Sequence, residues 1–146
     1  MTLELRSDRR DRFDVSAEQL WARLGAVDEY RSWWPWLRQC DARCLAVGEE
    51  WHCAVQAPLS YRLHFTLHLD EVDEGRAVGA TVSGDIVGSA RFEISADGTG
   101  CILRLVSALS PHATVLQALT VMARPVAQRS HDWVLGTGIS QLRDQL

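Results

Sequence analysis

The chain has 146 residues, 47% of them hydrophobic and 23% charged, and a formal net charge of -4. This length and composition predict one globular domain over residues 1–146 and exclude a disordered or fibrous protein. The negative charge excludes a broad basic field for nucleic acid, and no run of about 18 apolar residues is present to span a membrane. The first residues also lack the apolar segment of a signal peptide, so we expect a soluble cytoplasmic protein.

Two short helices are predicted after a first, charged strand. Ser16 and Gln19 form a capping-box pattern, and the apolar residues that follow recur at helical spacing, so residues 16–24 should form an amphipathic helix. Asp28 is a candidate cap for a second helix. That helix should end just before Pro35, because proline disfavours helical geometry in the residue preceding it.

Alternation of apolar and polar residues begins near residue 40 and continues to residue 109, which is the pattern of β-strands. It is clearest between residues 61 and 69, where one face is apolar and the other polar, as in an antiparallel sheet covered on one side. About five such strands follow one another, joined by turns that carry Gly, Pro or Asp. Gly84 and Gly88 lie inside a strand pattern and predict a bulge or a bend. The apolar face consists of Tyr61, Leu63, Phe65, Leu67 and Leu69.

The C-terminal segment is predicted to be helical in two pieces, and the second starts near Pro125, because the first turn of a helix tolerates proline. At about 100° per residue, the apolar residues of this piece share one stripe that should pack on the apolar face of the sheet. The order of elements predicts an α+β fold, a curved antiparallel sheet wrapped around the last helix. The stripe consists of His131, Leu135, Gly138, Ile139, Leu142 and Leu146, with Asp132 at its edge.

Two ionisable residues of this stripe are the first candidates for chemistry. If His131 and Asp132 faced a cavity, desolvation would lower the pKa of the histidine and raise that of the aspartate until either could transfer protons. Asp85, between the two strand glycines, and Tyr61, on the apolar face, complete the catalytic candidates. The alternative is structural, with a hydrogen-bonded histidine and carboxylates in solvent.

Aromatic residues are the candidates for ligand binding. Trp33, Trp34 and Trp36 place three indoles in four positions, so at least one of them should face a cavity, a rim or solvent. The alternative is that they serve only as core and lid packing. The full predicted lining is Trp33, Trp34, Trp36, Trp51, Tyr61, Phe65, Phe92, His131 and Leu135.

No metal and no cofactor are predicted. His64 and His68 share the polar face of a strand, but their spacing places them about 13 Å apart, too far to bind one metal ion together. The motifs of a nucleophilic serine, a phosphate loop, a dinucleotide site or a zinc protease are absent. The four cysteines form no metal-binding pattern, and without a secretion signal they are expected to be buried free thiols: Cys40, Cys44, Cys53 and Cys101.

Three segments of the chain resemble the helix-grip superfamily, which includes StAR-related lipid-transfer domains and birch-pollen-allergen-like proteins. They are VSAEQLWARLGAVDEYRSWWPWL at 15–37, SGDIVGSARFEI at 83–94 with DGTG after it, and RPVAQRSHDWVLGTGISQL at 124–142. The last two look most like the branch of polyketide cyclase/dehydrase and lipid-transport proteins. The resemblance implies a deep hydrophobic cavity between the sheet and the C-terminal helix, in members that bind lipids, sterols or quinones, modify polyketides or act as co-chaperones.

The chain departs from this family in the middle of its last helix. Gly136 and Gly138 each lower the helix propensity there by about 1 kcal/mol. Space for a ligand, close packing of the helix on the sheet, or a break in the helix would each explain these small residues.

Three functions therefore follow from the sequence. The first is binding of a lipid-like or aromatic small molecule in the cavity, as a carrier or sensor. The second is a polyketide-type cyclase or dehydratase, in which His131 is the base, Asp132 or Asp85 orients it, and Tyr61 donates to an enolate oxygen. The third is an interaction module or co-chaperone that exposes its tryptophans, Trp133 among them, to a protein partner or a homodimer.

Overall fold

The computed structural model describes residues 4–56, 62–112 and 124–146, the last range without the side chains of 124–127 and 130. Seven antiparallel strands form one curled sheet in the order β1-β7-β6-β5-β4-β3-β2. The strands are β1 (Leu5–Phe13), β2 (Leu37–Cys40), β3 (Glu50–Gln56), β4 (Arg62–Asp73), β5 (Ala77–Gly84), β6 (Ile86–Asp97) and β7 (Gly100–Pro111). The helices are α1 (Ala17–Gly25), α2 (Tyr30–Trp33) after a 3-10 turn (Val27–Glu29), and α3 (Arg124–Arg143). The predicted α+β architecture is confirmed.

The two short helices begin and end for different reasons. Ser16 caps α1 as predicted, because its hydroxyl accepts from the backbone N–H of Gln19 while the Gln19 side chain accepts from the backbone N–H of Ser16. The prediction that Asp28 caps the second helix is wrong: Asp28 lies inside the 3-10 turn, and no side-chain hydrogen bond caps α2. The predicted end is correct, because α2 stops at Trp33, two residues before Pro35.

The faces of β4 are as the alternation predicts. Leu69 is buried, whereas His64 and His68 are exposed on the other face. Gly84 and Gly88 both have positive φ angles, 119° and 148°, and lie on either side of the connection from β5 to β6. A Cβ atom at Gly88 would lie 1.9 Å from the carbonyl oxygen of Ala108, so only glycine fits at this position.

The hydrophobic core lies between the inner face of the sheet and the helices. Leu20 of α1, Leu69 of β4 and Leu142 of α3 are among its fully buried side chains.

Pro125 lies in the first turn of α3, as predicted, while the first predicted helical piece falls largely outside the described residues. Leu146 was expected on the buried stripe; it follows the end of α3 and is 39% exposed.

The four cysteines are free, but they are not equally buried. Cys53 and Cys101 are buried as predicted, and Cys40 is half-buried. Cys44 is exposed, because it lies in the connection between β2 and β3 and not on the inner face of a strand. The expectation of four buried thiols is therefore wrong for this residue.

Candidate functional site

A cavity of about 250 Å³ lies between the inner face of the sheet and α3. Its sheet side is mostly aliphatic, and its helix side is formed by one face of α3. The strands contribute Leu67, Leu69, Val78, Ala80, Leu103 and Leu105, and the helix contributes Val134, Leu135, Gly138, Ile139 and Leu142. The prediction is confirmed in part: Leu67 and Leu69 of the predicted sheet face and the stripe from Leu135 to Leu142 line the cavity, whereas Leu63, Phe65, His131 and Leu146 do not.

Aromatic side chains close the end of the cavity next to α2. Trp34 and Trp36 are stacked with ring centroids 5.6 Å apart, and Tyr30 lies 4.8 Å from Trp34. Trp51 on β3 packs edge-to-face with Tyr30, with ring centroids 6.1 Å apart, and Phe92 on β6 completes the aromatic part of the wall. The contacts among Tyr30, Trp34, Trp36 and Trp51 form one continuous aromatic cluster, because offset and edge-to-face aromatic pairs stabilise one another.

Two of these indoles bind α3 directly. The Nε1 atom of Trp34 donates to the carbonyl oxygen of Gly138 at 3.0 Å, and that of Trp36 donates to Oε1 of Gln141 at 2.8 Å. A Cβ atom at Gly138 would lie 3.3 Å from Cζ2 of Trp36. Of the three explanations considered for the small residues of α3, close packing is the one that applies to Gly138. Its nearest neighbours are the tryptophans, however, and not the strands of the sheet.

The remaining polar side chains of the wall differ in how they are satisfied. The Tyr30 hydroxyl donates to the carbonyl oxygen of Leu24, and burial raises the pKa of Tyr30, so the phenol stays protonated. Arg91 reaches the wall, but its guanidinium pairs with Glu71 and Glu93. The Nε1 atom of Trp51 is buried and has no hydrogen-bond partner among the described residues.

His131 is half-buried in the first half of α3, and its Nε2 lies 3.1 Å from Oγ of Ser107 on β7. Its Nδ1 is buried and has no hydrogen-bond partner in the described part of the chain. Burial lowers the pKa of His131, and the nearby carboxylate of Asp132 partly opposes this shift. His131 does not belong to the residues that line the cavity, although the sequence placed it there.

The other catalytic candidates do not converge on His131. Asp132 is exposed and accepts a hydrogen bond from Nε2 of Gln128 at 3.0 Å. The carboxylate of Asp85 accepts from the backbone N–H of His64 at 2.9 Å and so links the β5–β6 turn to β4, away from the cavity. Tyr61 lies outside the described residues.

Of the nine predicted ligand-binding residues, Tyr61 lies outside the described residues and His131 does not line the cavity; the other seven fall into two groups. Trp34, Trp36, Trp51, Phe92 and Leu135 line the cavity. Trp33 and Phe65 do not, for Trp33 is buried beneath the guanidinium of Arg23, 5.8 Å from its ring, and Phe65 packs against the core. The sequence reading missed Tyr30, which lies four residues before Trp34; that helical spacing was the available signal.

Two classes of site receive no support in the described ranges. No group of three His, Cys, Asp or Glu residues there is arranged to hold a metal ion. No helix of the described part is long and apolar enough to cross a membrane. Of the exposed tryptophan surface that an interaction module would need, only Trp133, 44% exposed, is found in this part of the chain.

Comparison with known proteins agrees with this architecture. The family model described as polyketide cyclase / dehydrase and lipid transport matches residues 6–143. No curated protein matches the chain. Among solved structures, a START superfamily protein from Mycobacterium smegmatis has 14% identity and a TM-score of 0.76, with 96% of this chain and 95% of that chain covered.

Two enzymes are among the other structural neighbours. The Zhui aromatase/cyclase from a Streptomyces species has 12% identity and a TM-score of 0.79, with 98% of this chain and 93% of that chain covered. Norcoclaurine synthase from Thalictrum flavum has 11% identity and a TM-score of 0.68, with 99% and 97% covered. At such low identity these neighbours share the fold, and their activities belong to those proteins.

Proposed function

The chain belongs to the polyketide cyclase / dehydrase and lipid transport family, and from this premise we propose that it binds one hydrophobic small molecule, aromatic or lipid-like, in the cavity under α3. The observation that carries the proposal is the composition of the wall. It is formed almost entirely of aliphatic and aromatic side chains, and most of its polar atoms are already bonded within the protein. Such a wall favours an apolar ligand, because each Å² of apolar contact contributes about 25 cal/mol.

The size of the cavity supports a compact ligand. An apolar cavity of about 150 Å³ accommodates benzene, and the volume here is about 250 Å³. A molecule of two or three rings, or a short branched chain, fits this space better than an extended lipid does. We therefore expect tighter binding of compact ring systems than of long acyl chains.

Binding is better supported than catalysis. General acid–base chemistry needs ionisable groups within hydrogen-bond reach of the reacting atoms. Among the described residues, His131 contacts Ser107 beyond the cavity lining, Asp132 is exposed, and Asp85 binds the backbone of β4. The cyclase or dehydratase alternative therefore lacks a set of convergent groups in the described part of the site.

Calorimetric titration with indane, a nine-carbon bicyclic hydrocarbon, tests the proposal. The wild type should bind one equivalent with a negative heat-capacity change, which is the mark of apolar burial. Ala90→Leu places a larger side chain in the cavity and should weaken binding about tenfold, equivalent to roughly 1.4 kcal/mol. Ser89→Leu, on the exposed neighbouring position of β6, is the matched control and should bind as the wild type does. Indane that does not saturate a single site, or that binds equally to both variants, would contradict the proposal.

Cytoplasmic location and self-association complete the proposed function. Free cysteines in the described chain support a reducing compartment. An exposed Trp133 on α3 is the feature that supports a homodimer. Cell fractionation and size-exclusion chromatography over a range of protein concentrations test these two points separately.

A further inference from the structure

One hydrogen-bond donor in the cavity wall stands apart from its neighbours. Five of the described lining side chains carry polar atoms, and four of these use them within the protein: Tyr30, Trp34, Trp36 and Arg91. The fifth is Trp51, whose Nε1 is buried and has no partner in the described ranges. Trp51 is only 5% exposed, so bulk water does not satisfy this donor.

An unpaired buried donor is rare in folded proteins and destabilises the fold, since the N–H has lost its hydrogen bond to water. Nε1 has almost no accessible surface, so a ligand oxygen reaches it through a small shift of the Trp51 ring; an acceptor brought to this position removes that penalty on binding. A pure hydrocarbon leaves the donor unpaired. The wall therefore discriminates between apolar molecules of the same shape that differ in one oxygen atom.

We propose that the ligand of this cavity is a compact carbonyl compound whose oxygen accepts a hydrogen bond from Nε1 of Trp51. This inference rests on the proposed function and names the chemical class of its ligand. The carbonyl oxygen is the single polar atom that the wall recognises, and the rest of the molecule is held by apolar contact with residues such as Leu67 and Leu142.

The matched probes are indane and 1-indanone, which differ by one carbonyl group. The measured quantity is the ratio of the affinity for 1-indanone to the affinity for indane. This ratio should be about fivefold to tenfold higher in the wild type than in Trp51→Phe, which corresponds to one neutral hydrogen bond. Trp36→Phe is the control: its indole is already paired with Gln141, so this variant should bind both probes more weakly at an unchanged ratio. In the wild type, 1-indanone but not indane should move the Trp51 indole proton signal downfield.

The outcomes distinguish binding of an apolar ligand from recognition of its carbonyl oxygen. If indane itself fails to bind the wild type, the proposed function fails. If both probes bind but their ratio is equal in the wild type and in Trp51→Phe, or if the Trp51 signal responds equally to both, a carbonyl oxygen is not recognised and this inference is wrong while the proposed function stands. The NMR comparison uses the wild type alone, so the inference remains testable if Trp51→Phe does not fold.

A second, independent observation concerns two cysteines beside this wall. Cys40 on the edge strand β2 is directly opposite Cys53 on β3, whose thiol donates to the carbonyl oxygen of Trp51 at 3.7 Å. Directly opposed residues of antiparallel strands have Cα atoms about 4.5 to 5.5 Å apart, which lies within the range of disulfide-bonded cysteines. The neighbouring Cys53 thiol lowers the pKa of Cys40 to about 7, and Cys40 is only half-buried, which favours its thiolate over that of Cys53.

We infer that Cys40 and Cys53 form a disulfide when the protein meets a peroxide. The Cys40 thiolate attacks one peroxide oxygen, the O–O bond breaks, and Cys40 becomes a sulfenic acid as one water is released after protonation. The Cys53 thiol then attacks the sulfenic sulfur, the S–S bond forms, and a second water leaves. Two thiols supply two electrons to one hydrogen peroxide, which accounts for both waters.

Intact mass spectrometry after treatment with hydrogen peroxide tests this pair. The wild type should lose two hydrogen atoms, reversibly on reduction, with Cys40 and Cys53 linked in its peptide map. Cys40→Ser and Cys53→Ser should abolish this loss, whereas Cys44→Ser, at the exposed cysteine, should keep it. A bridge that includes Cys44, or oxygen addition to the wild type without loss of hydrogen, would overturn the assignment.

Discussion

The two halves of α3 contact the sheet in different ways. In the C-terminal half, Leu135, Ile139 and Leu142 cover an apolar cavity, and the indoles of Trp34 and Trp36 hold the helix by hydrogen bonds. In the N-terminal half, described side chains make polar contacts: Nε2 of His131 lies near Oγ of Ser107, and Gln128 donates to both Asp132 and the carbonyl oxygen of Arg6.

The two halves of α3 therefore differ in what they could contribute to a site: the C-terminal half offers apolar contacts, and the N-terminal half carries the ionisable groups. No side chain of the C-terminal half that lines the cavity is ionisable, whereas in the N-terminal half Nε2 of His131 lies next to Ser107 of β7 and Asp132 accepts a hydrogen bond from Gln128 of the same helix. An apolar ligand under the C-terminal half would thus meet rigid packing and few polar atoms. The following predictions probe the two halves separately.

The largest effect is expected in the apolar half. Leu142 is 2% exposed, so Leu142→Ala should lower the free energy of unfolding by about 2 to 5 kcal/mol, through lost transfer energy and the space left behind. Gln128→Ala in the polar half should change it by no more than about 0.5 kcal/mol, because Gln128 is near the surface. Urea denaturation measures both, and equal losses would show that the two halves do not differ in packing.

An intermediate effect is expected from the two helix glycines. Alanine in a helix is favoured over glycine by about 1 kcal/mol. Gly136→Ala should gain part of this, because its new Cβ meets only one guanidinium nitrogen of Arg9, at 3.2 Å, although that guanidinium is paired with Asp11. Gly138→Ala should gain less or lose stability, because its Cβ meets the ring of Trp36, which is fixed by Gln141. Thermal unfolding of the two variants in parallel gives the comparison, and a larger gain at Gly138 would argue against a tight indole contact.

The smallest effect is expected from the pH dependence of the polar half. Burial holds the pKa of His131 below its usual value of 6.5, so the unfolded chain takes up a proton before the native state does as pH falls. The stabilising contribution is complete above pH 6.5 and is lost as pH falls toward the lower native pKa. His131→Gln should remove this part of the pH dependence in urea denaturation between pH 7.5 and 5. An NMR titration midpoint of His131 at or above 6.5 would contradict it.

The sequence was sufficient for the layout of the fold because its signals are local. The alternation in β4 and the helical spacing in α3 both reflect which apolar side chains are buried, and each can be recognised within one segment of the sequence. The capping box of α1 and the positive-φ glycines at the end of β5 are equally local signals.

The partners of individual polar atoms could not be read from the sequence. That Asp85 bonds the backbone of His64 depends on the register between β4 and β5, which shifts by one residue near Leu69. The contact between Gly138 and Trp36 depends on the path of the chain after α2, which places Trp36 against a helix about a hundred residues later in the sequence. Such contacts are tertiary. A shift of one residue in strand register, or of one turn in the position of the helix, would replace them with other contacts.

The most direct test of the central claim is an indole ¹⁵N NMR titration with 1-indanone, in which each of the six tryptophans reports separately. Our account predicts saturable shifts, at one equivalent, for Trp34, Trp36 and Trp51, which line the cavity, and no change for the exposed Trp133. Shifts confined to Trp133, or no saturable shift at any indole, would contradict binding of a hydrophobic molecule beneath α3.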